Sequence, residues 1–582
     1  MAERELTVDV TVSDKPVKIT LNKEGLWVVK QKTHEVSFQQ VVAAEFHRES
    51  RKLHIAYAYK EKQFSLVELN GQVTEDEDAL RSAMEFAEAL HEKAYQGVKY
   101  GRRLKILVNP HGGQGKGVIA FKKQVEPLLK AAGCTLDVSE TTHNGHAYDV
   151  AKSLELNYDA VVTVSGDGLI HEVLNGFANH KEPLKALAIP VAPIPTGSGN
   201  GLSLNLLGLE NAFDIVNAAL NVVKGNPMQV DVFAVTQRDK RSISFMSQAI
   251  GLMADIDIGT EHLRWMGDTR FTYGVLKAMI KFKPCDVELS YKGAEMDKEQ
   301  MFNALKARHN AEDTLESETH VVSHPPALNL ATDEDKPASL PELKYSMDDT
   351  EGWTTFDEKM LYLYAGKGPF VGRDLMAFPV SLPDDGLIDI CVQSHSKSSR
   401  LEILGSFEGA PRGEQYWLDS VCVFAPLSSF TTNCLVYLPS SISCIHYVKA
   451  SAYRVKPRTT KGCLSIDGEA FPFEPFQVEV LPRLATLLSP HGYYVADFHG
   501  PKDKKGKGKV KEQKGKGQGD VKMKPTTTLS TLEGDEAAST TKAVDGEGDG
   551  ATVKPTTGGD AATAATKDAR EGETGGKGLC CW

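Results

Sequence analysis

The stretch VVTVSGDGLIHEVLNGF, residues 161–177, decides how this chain is read. A β-branched apolar run stops at Ser165, a single carboxylate follows between Gly166 and Gly168, and an apolar, helix-spaced segment begins at once. Strand, bare glycine turn, helix is the unit of a parallel α/β sheet, and the turn falls at the carboxyl end of the strand, where such sheets bind ligands. An aspartate in such a turn is commonly a turn former. The neighbouring sequence decides whether Asp167 is more than that.

The same unit recurs on both sides. RLKILVNP (103–110) and YDAVVTVSG (158–166) read as strands, as do TLDVSET (135–141) and ALAIPVAPIP (186–195). Helical segments follow them at 117–133, 145–156, 169–179 and 201–225. This rhythm predicts a doubly wound α/β domain over 98–226. Three glycine-rich turns fall on one rim: NPHGGQGKG (109–117), SGDG (165–168) and PTGSGN (195–200). Bare amides leading into helix N-termini suit phosphate. Neither common nucleotide fingerprint is present. Pro110 and Gly117 break the Walker A pattern, and none of the turns reads GxGxxG, which weighs against a P-loop enzyme or a nicotinamide dehydrogenase. HEVLN (171–175) is not a zinc motif, since Asn175 replaces the second histidine; His171 reads as a hydrogen-bonding residue of the helix.

Outward from this domain, residues 1–97 alternate as short strands and end in an amphipathic helix, EDEDALRSAMEFAEALHEKAYQG. That order resembles a pleckstrin-homology-like module. Residues 227–498 are mostly β and predict a β-sandwich-like second domain, interrupted at 293–352 by a polar insertion expected to be disordered. From 499 to 582 the chain is low in complexity: a Lys/Gly block, then a Thr/Ala/Gly/Asp block ending GLCCW. The 582 residues carry a formal net charge of −12, which argues against a general nucleic-acid binder. No apolar h-region opens the chain, and no run approaches the ~18 residues of a membrane-spanning helix. Nine scattered cysteines without a CxxC pair predict reduced thiols, no structural zinc and a cytoplasmic setting.

Taken together, ILVNPHGGQGKG, SGDGLIHEVLNG, PTGSGNGLS, GLMADIDIGTEHLRWMGDTRF (251–271) and LSIDGEAF (464–471) resemble the sphingosine, or long-chain base, kinase family, within the diacylglycerol-kinase catalytic superfamily. The likeness covers roughly 98–290 and 355–485. It implies a lipid kinase that uses ATP and Mg²⁺ to phosphorylate the primary hydroxyl of a long-chain base. Asp167 becomes the general base, and Ser165, Gly166 and Gly168 accompany it at the acceptor. Asn109, Pro110, His111, Gly112 and Gly113 line the first nucleotide loop; Thr141 and Glu172 lie near the nucleotide; Gly197, Ser198 and Gly199 offer backbone to phosphate. Arg264 and Arg270 pair with the phosphates, a task that suits a guanidinium. Asp467, Gly468 and Glu469 reach back to the ribose or the metal, with the ligating acid left open. Asp257 is the acid that meets the ammonium of the long-chain base; were its stretch extended, Asp255 would face the other way. Gln114 stands where relatives often carry Lys, removing a charge that Lys116 can restore.

The acceptor implies peripheral membrane attachment. The block at 502–524 attracts anionic lipid, and Cys580 and Cys581 are candidates for palmitoylation, a CC-type prenylation being the alternative. Two other readings stand beside this one: a diacylglycerol or ceramide kinase of the same fold, and a non-catalytic lipid-binding scaffold.

Overall fold

The computed structural model describes residues 5–500 except 30–32, 267–268, 319–338, 357, 397–399, 401–402, 404–408 and 418–444; at 113–114, 264–265 and 311–318 it describes backbone only. Cys580, Cys581 and the basic block therefore lie outside the described residues.

Strands between Leu6 and Gln72 form a seven-stranded antiparallel sheet. Helix Glu77–Ala94 covers it, turning Leu80, Ala83, Phe86, Ala87, Leu90 and Ala94 inward at helical spacing. Asp76 caps this helix by accepting a hydrogen bond from the Ala79 amide at 3.0 Å. The module is welded to the α/β domain. Lys60 Nζ donates to Glu210 Oε1 (2.6 Å) and Asn211 Oδ1 (2.7 Å), and buried Lys224 donates to the Ala94 carbonyl at 2.6 Å.

The α/β rhythm produces the expected sheet. Thr135–Glu140, Arg103–Val108, Ala160–Ser165 and Val191–Pro195 lie side by side in parallel register. Ala160–Ser165 is buried along its whole length, as a strand covered on both faces must be. All three glycine turns open at one end of these strands.

The second half is joined to the first by strand pairing. Its strands belong to the same 15-stranded hydrogen-bonded network as the parallel sheet. The link is Phe476–Ser489, which pairs antiparallel with Asn226–Gln237 and touches Val191–Pro195 in parallel at Val191↔Leu487. The insertion is also more ordered than its polarity implied. Lys298–Glu318 is a helix, because Met301, Phe302 and Leu305 share one face and are buried. Residues 339–352 lie against the sheet, where the Glu479 carboxylate accepts the Lys344 amide at 2.8 Å and the Tyr345 amide at 3.2 Å.

Candidate active site

Strand Ala160–Ser165 delivers Asp167 to the first turn of helix Asp167–Ala178. Its carboxylate is held from the opposite loop: Gly201 N–H donates to Oδ2 at 2.7 Å and Leu202 N–H to Oδ1 at 3.1 Å. Those amides open helix Gly201–Asn211, so the positive end of a helix faces the acid. The glycines are needed because the two loops touch backbone to backbone. A Cβ on Gly197 would lie 2.3 Å from the Gly166 Cα. Asn200 fixes the second loop. It adopts φ +52°, accepts the Gly197 amide on Oδ1 at 2.9 Å and donates to the Gly197 carbonyl at 2.8 Å. Burial pushes the Asp167 pKa upward, the two amides oppose this, and the nearby Asp467 and Asp257 charges push it up again; the net direction is up.

Around Asp167 opens a cavity of about 1000 Å³. Its polar end takes in Asn109, His111, Gly112, Ser165, Gly166, Gly168, Glu172, Gly197, Ser198 and Gly199. The first and third loops, which the sequence placed on one rim, therefore do converge. Asn109 shapes its own loop, Oδ1 accepting the His111 amide at 2.9 Å. Glu172 accepts the Gly145 and Ala147 amides at 3.1 and 3.0 Å, tying the 141–147 loop to the site. Thr141 is buried behind that loop, 3.5 Å from the Val108 carbonyl, and, like Pro110, does not line the cavity; for Gly113 only the backbone is described. The Arg264 side chain lies outside the described residues. Arg270 is buried in the cavity wall, Nη2 4.0 Å from Asp257 Oδ1.

Asp257 ends a short helix, Leu252–Asp257, so the stretch is helical and not extended. Two residues of helix turn the chain through about 200°, and Asp255 still faces away, among Lys277, Lys281 and Lys283. Asp257 Oδ2 accepts a hydrogen bond from Ser465 Oγ at 2.7 Å.

Asp467 departs most from expectation. It lines the cavity beside Gly468 and Glu469, but its carboxylate oxygens are engaged by the protein. Oδ1 accepts from Ser244 Oγ (2.8 Å), Met246 N (3.0 Å) and Ser247 N (2.9 Å); Oδ2 accepts from Phe245 N (3.2 Å) and lies 2.8 Å from His171 Nδ1. With its lone pairs taken by protein donors, Asp467 folds the 244–247 turn and staples it to helix Asp167–Ala178. Burial pulls the His171 pKa down, but the Asp467 hydrogen bond and charge outweigh this and raise it. Glu469 stays at the cavity, and a Cβ on Gly168 would stand 3.2 Å from its Oε1. Gly468 lines the cavity as well, at φ +85°. Among the described residues no group of three or more His, Cys, Asp or Glu side chains is arranged to hold a metal.

The apolar end is walled by Met253, Ile256, Phe271, Val275, Val371 and Leu375. Sequence reasoning missed Asn200, Ser465 and Tyr364. Only Asn200 carried a local signal, as an asparagine closing a Gly-Ser-Gly run where a left-handed residue is favoured.

Comparison with known proteins gives the family. Residues 103–235 match the family model for the diacylglycerol kinase catalytic domain. The chain is 31% identical over 421 residues to sphingoid long chain base kinase 4 of Schizosaccharomyces pombe, covering 71% of this chain and 80% of that protein. It is 28% identical to sphingoid long chain base kinase 5 of Saccharomyces cerevisiae (72% and 63% covered) and 26% identical to human sphingosine kinase 2 (66% and 71% covered). Among solved structures, a diacylglycerol kinase of Bacillus anthracis aligns with 67% of this chain and 97% of its own at 18% identity, with a TM-score of 0.39.

Proposed function

Because the chain belongs to the sphingoid long-chain base kinase family, we propose that it transfers the γ-phosphate of ATP to the primary hydroxyl of sphingosine or a related long-chain base. The observation that carries this is Asp167: a carboxylate of raised proton affinity, held by two amides, in a turn that only glycine backbone flanks. The acceptor hydroxyl must lose its proton as it attacks phosphorus, and a carboxylate within hydrogen-bond reach takes that proton. Orientation and charge neutralisation supply the rest. The amides around Gly112 and Gly197–Gly199 face the phosphates, and Arg270 adds a fixed positive charge. Glu469 could hold a Mg²⁺ that arrives with the nucleotide, and such an ion would supply charge neutralisation at the phosphates with few protein ligands. With Asp467 committed to the 244–247 turn, Glu469 is the acid we place on that side. Asp257, beside Arg270 and held by Ser465, gives the acceptor's ammonium a counter-charge that a neutral diacylglycerol would not use.

The same reading extends to membrane access and to the N-terminal module, which we take as PH-like from its strand order and closing helix. Helix Thr269–Lys281 lends Phe271 and Val275 to the cavity and turns Tyr273, Leu276 and Ile280 outward, the last 78% exposed. Lys277 and Lys281 flank them. An apolar stripe bordered by lysines at the pocket mouth suits peripheral contact with anionic lipid from the cytoplasmic side. Modification of Cys580 and Cys581 would add an anchor; a double Ser variant that sediments with membranes as the parent does would dismiss it.

The test is ATP-dependent phosphorylation of sphingosine, phytosphingosine, ceramide and diacylglycerol in Mg²⁺-containing mixed micelles, parent against Asp167→Asn. Long-chain bases should be phosphorylated and the variant should be inactive. Preference for diacylglycerol or ceramide would overturn the role of Asp257. A folded parent that phosphorylates nothing would leave a lipid-binding scaffold.

A further inference from the structure

Beyond the main cavity, separated from it at the apolar end, lies a small one lined by Met253, Tyr362, Tyr364, Leu375, Ala377, Cys391, Ile403, Ala410 and Gln415. Three residues line both: Met253, Tyr364 and Leu375. Two of these are hydrocarbon or thioether. Tyr364 alone brings a hydroxyl to the junction.

The sheet explains why it stands there. Ala249 is the direct cross-strand partner of both Ser465 and Tyr364, and Tyr364 in turn pairs with Cys391. Directly paired residues of an antiparallel sheet project from the same face. Ser465, Ala249, Tyr364 and Cys391 therefore form one row across four strands, each about 4.8 Å from the next. At one end of the row Ser465 holds Asp257. At the other, Cys391 lines the small apolar cavity. Ala249, between Ser465 and Tyr364, is too small to fill the gap, which leaves room over it. The Tyr364 ring is steadied edge-on by Phe378, with centroids 5.5 Å apart. Along strand Met360–Gly366 every other residue is buried, and Tyr364 alone is partly open. Burial first, then the Asp257 charge, push its phenol pKa up against the opposing hydrogen bond with Ser247, so the hydroxyl keeps its proton. The row thus runs from a polar contact beside the ammonium's counter-charge, across a gap, to one hydroxyl, and then to apolar wall.

A long-chain base has the same order of groups. Carbon 1 carries the hydroxyl that is phosphorylated, carbon 2 the ammonium, carbon 3 a hydroxyl; at carbon 4 the molecule is either hydroxylated or already hydrocarbon. With the ammonium at Asp257 and the tail among Met253 and Leu375, Tyr364 faces the segment in between. We propose that Tyr364 is a specificity-determining residue of this site and that it selects long-chain bases bearing a hydroxyl on carbon 4 over those lacking it. The inference rests on the reading of the site as a long-chain base kinase. Beside its hydrogen bond with Ser247 the phenol oxygen can still accept from such a hydroxyl, whereas hydrocarbon at that position offers it no bond.

Phytosphingosine and sphinganine differ by that hydroxyl alone. The experiment measures kcat/KM for both with the full chain, parent and Tyr364→Phe, together with KM for ATP. Taking the ratio of the two bases on a single preparation cancels any loss of folded enzyme. The parent should favour phytosphingosine by about tenfold, and the variant should bring the ratio to within about twofold with KM for ATP unchanged. Two results would overturn the proposal while leaving the kinase reading intact: a parent that does not favour phytosphingosine, or a preference that survives in Tyr364→Phe. If neither base is phosphorylated by folded parent, both readings fall.

Discussion

Two Asp-Gly turns face one cavity, and their carboxylates have opposite fates. SGDG at 165–168 and SIDG at 465–468 look alike: an aspartate at the end of an apolar strand, followed by glycine. Asp167 accepts two amides, from Gly201 and Leu202, and still borders the cavity. Asp467 accepts from Ser244, Phe245, Met246 and Ser247 and is paired with His171, its side chain wholly buried. The difference lies in the donors that surround each acid, and those come from elsewhere in the chain. A carboxylate with lone pairs to spare can take a proton from a substrate. A carboxylate whose lone pairs are all engaged holds a fold.

Asp167→Asn attacks this contrast at its strongest point. It should lower kcat by about 10³-fold or more while leaving the thermal transition nearly in place, since one amide bond survives and a buried charge is removed. Asp467→Ala should do the reverse: a loss of stability of about 3 kcal/mol in denaturant unfolding, from stranded donors, with activity per folded molecule reduced far less. Equal behaviour of the two variants in both assays would erase the distinction. Asp257→Asn comes next. It should raise KM for a long-chain base about tenfold and leave KM for ATP unchanged, which steady-state kinetics separates.

Dependence on pH separates the buried groups again. A general base must be deprotonated, so the acid limb of kcat should lie above the usual aspartate value of about 3.9. The folded chain holds the Asp167 proton more tightly than the unfolded chain. Stability therefore falls as pH rises from that value through the raised one, and Asp167→Asn should flatten that slope. His171, also raised, contributes stability that is complete below about 6.5 and lost as pH rises through its folded pKa. Unfolding midpoints from pH 4 to 9 test both. The smallest effect belongs to Ser465→Ala, a few-fold rise in KM for the base with no change for ATP, because only the hydrogen bond that orients Asp257 is lost.

Sequence periodicity was enough for the parallel sheet, because each of its strands is local and glycine marks each turn. The three loops and Asp167 were legible for the same reason. The donors that engage Asp467 were not legible because its partners at 244–247 lie some 220 residues earlier, and one-dimensional spacing cannot count donors across that distance. The link between the two halves was hidden similarly, since only pairing reveals that Leu487 lies beside Val191. The helix in the insertion escaped because its apolar face is just Met301, Phe302 and Leu305 among charged residues. Tyr364 and Ser465 sit in ordinary-looking β segments, and their meaning comes from a cross-strand row that no local window contains.

The strand Phe476–Ser489 has a consequence for how the protein is made. Val191–Pro195 needs this strand as its neighbour, and so does Asn226–Gln237 along most of its length. During translation the catalytic half leaves the ribosome with an open sheet edge, and about 250 more residues must be synthesised before that edge closes. A nascent chain in that interval offers unpaired, apolar strands to whatever is near, which is the condition chaperones recognise. A stop codon at 470 would therefore do more than shorten the chain. It would yield a chain whose first sheet never closes.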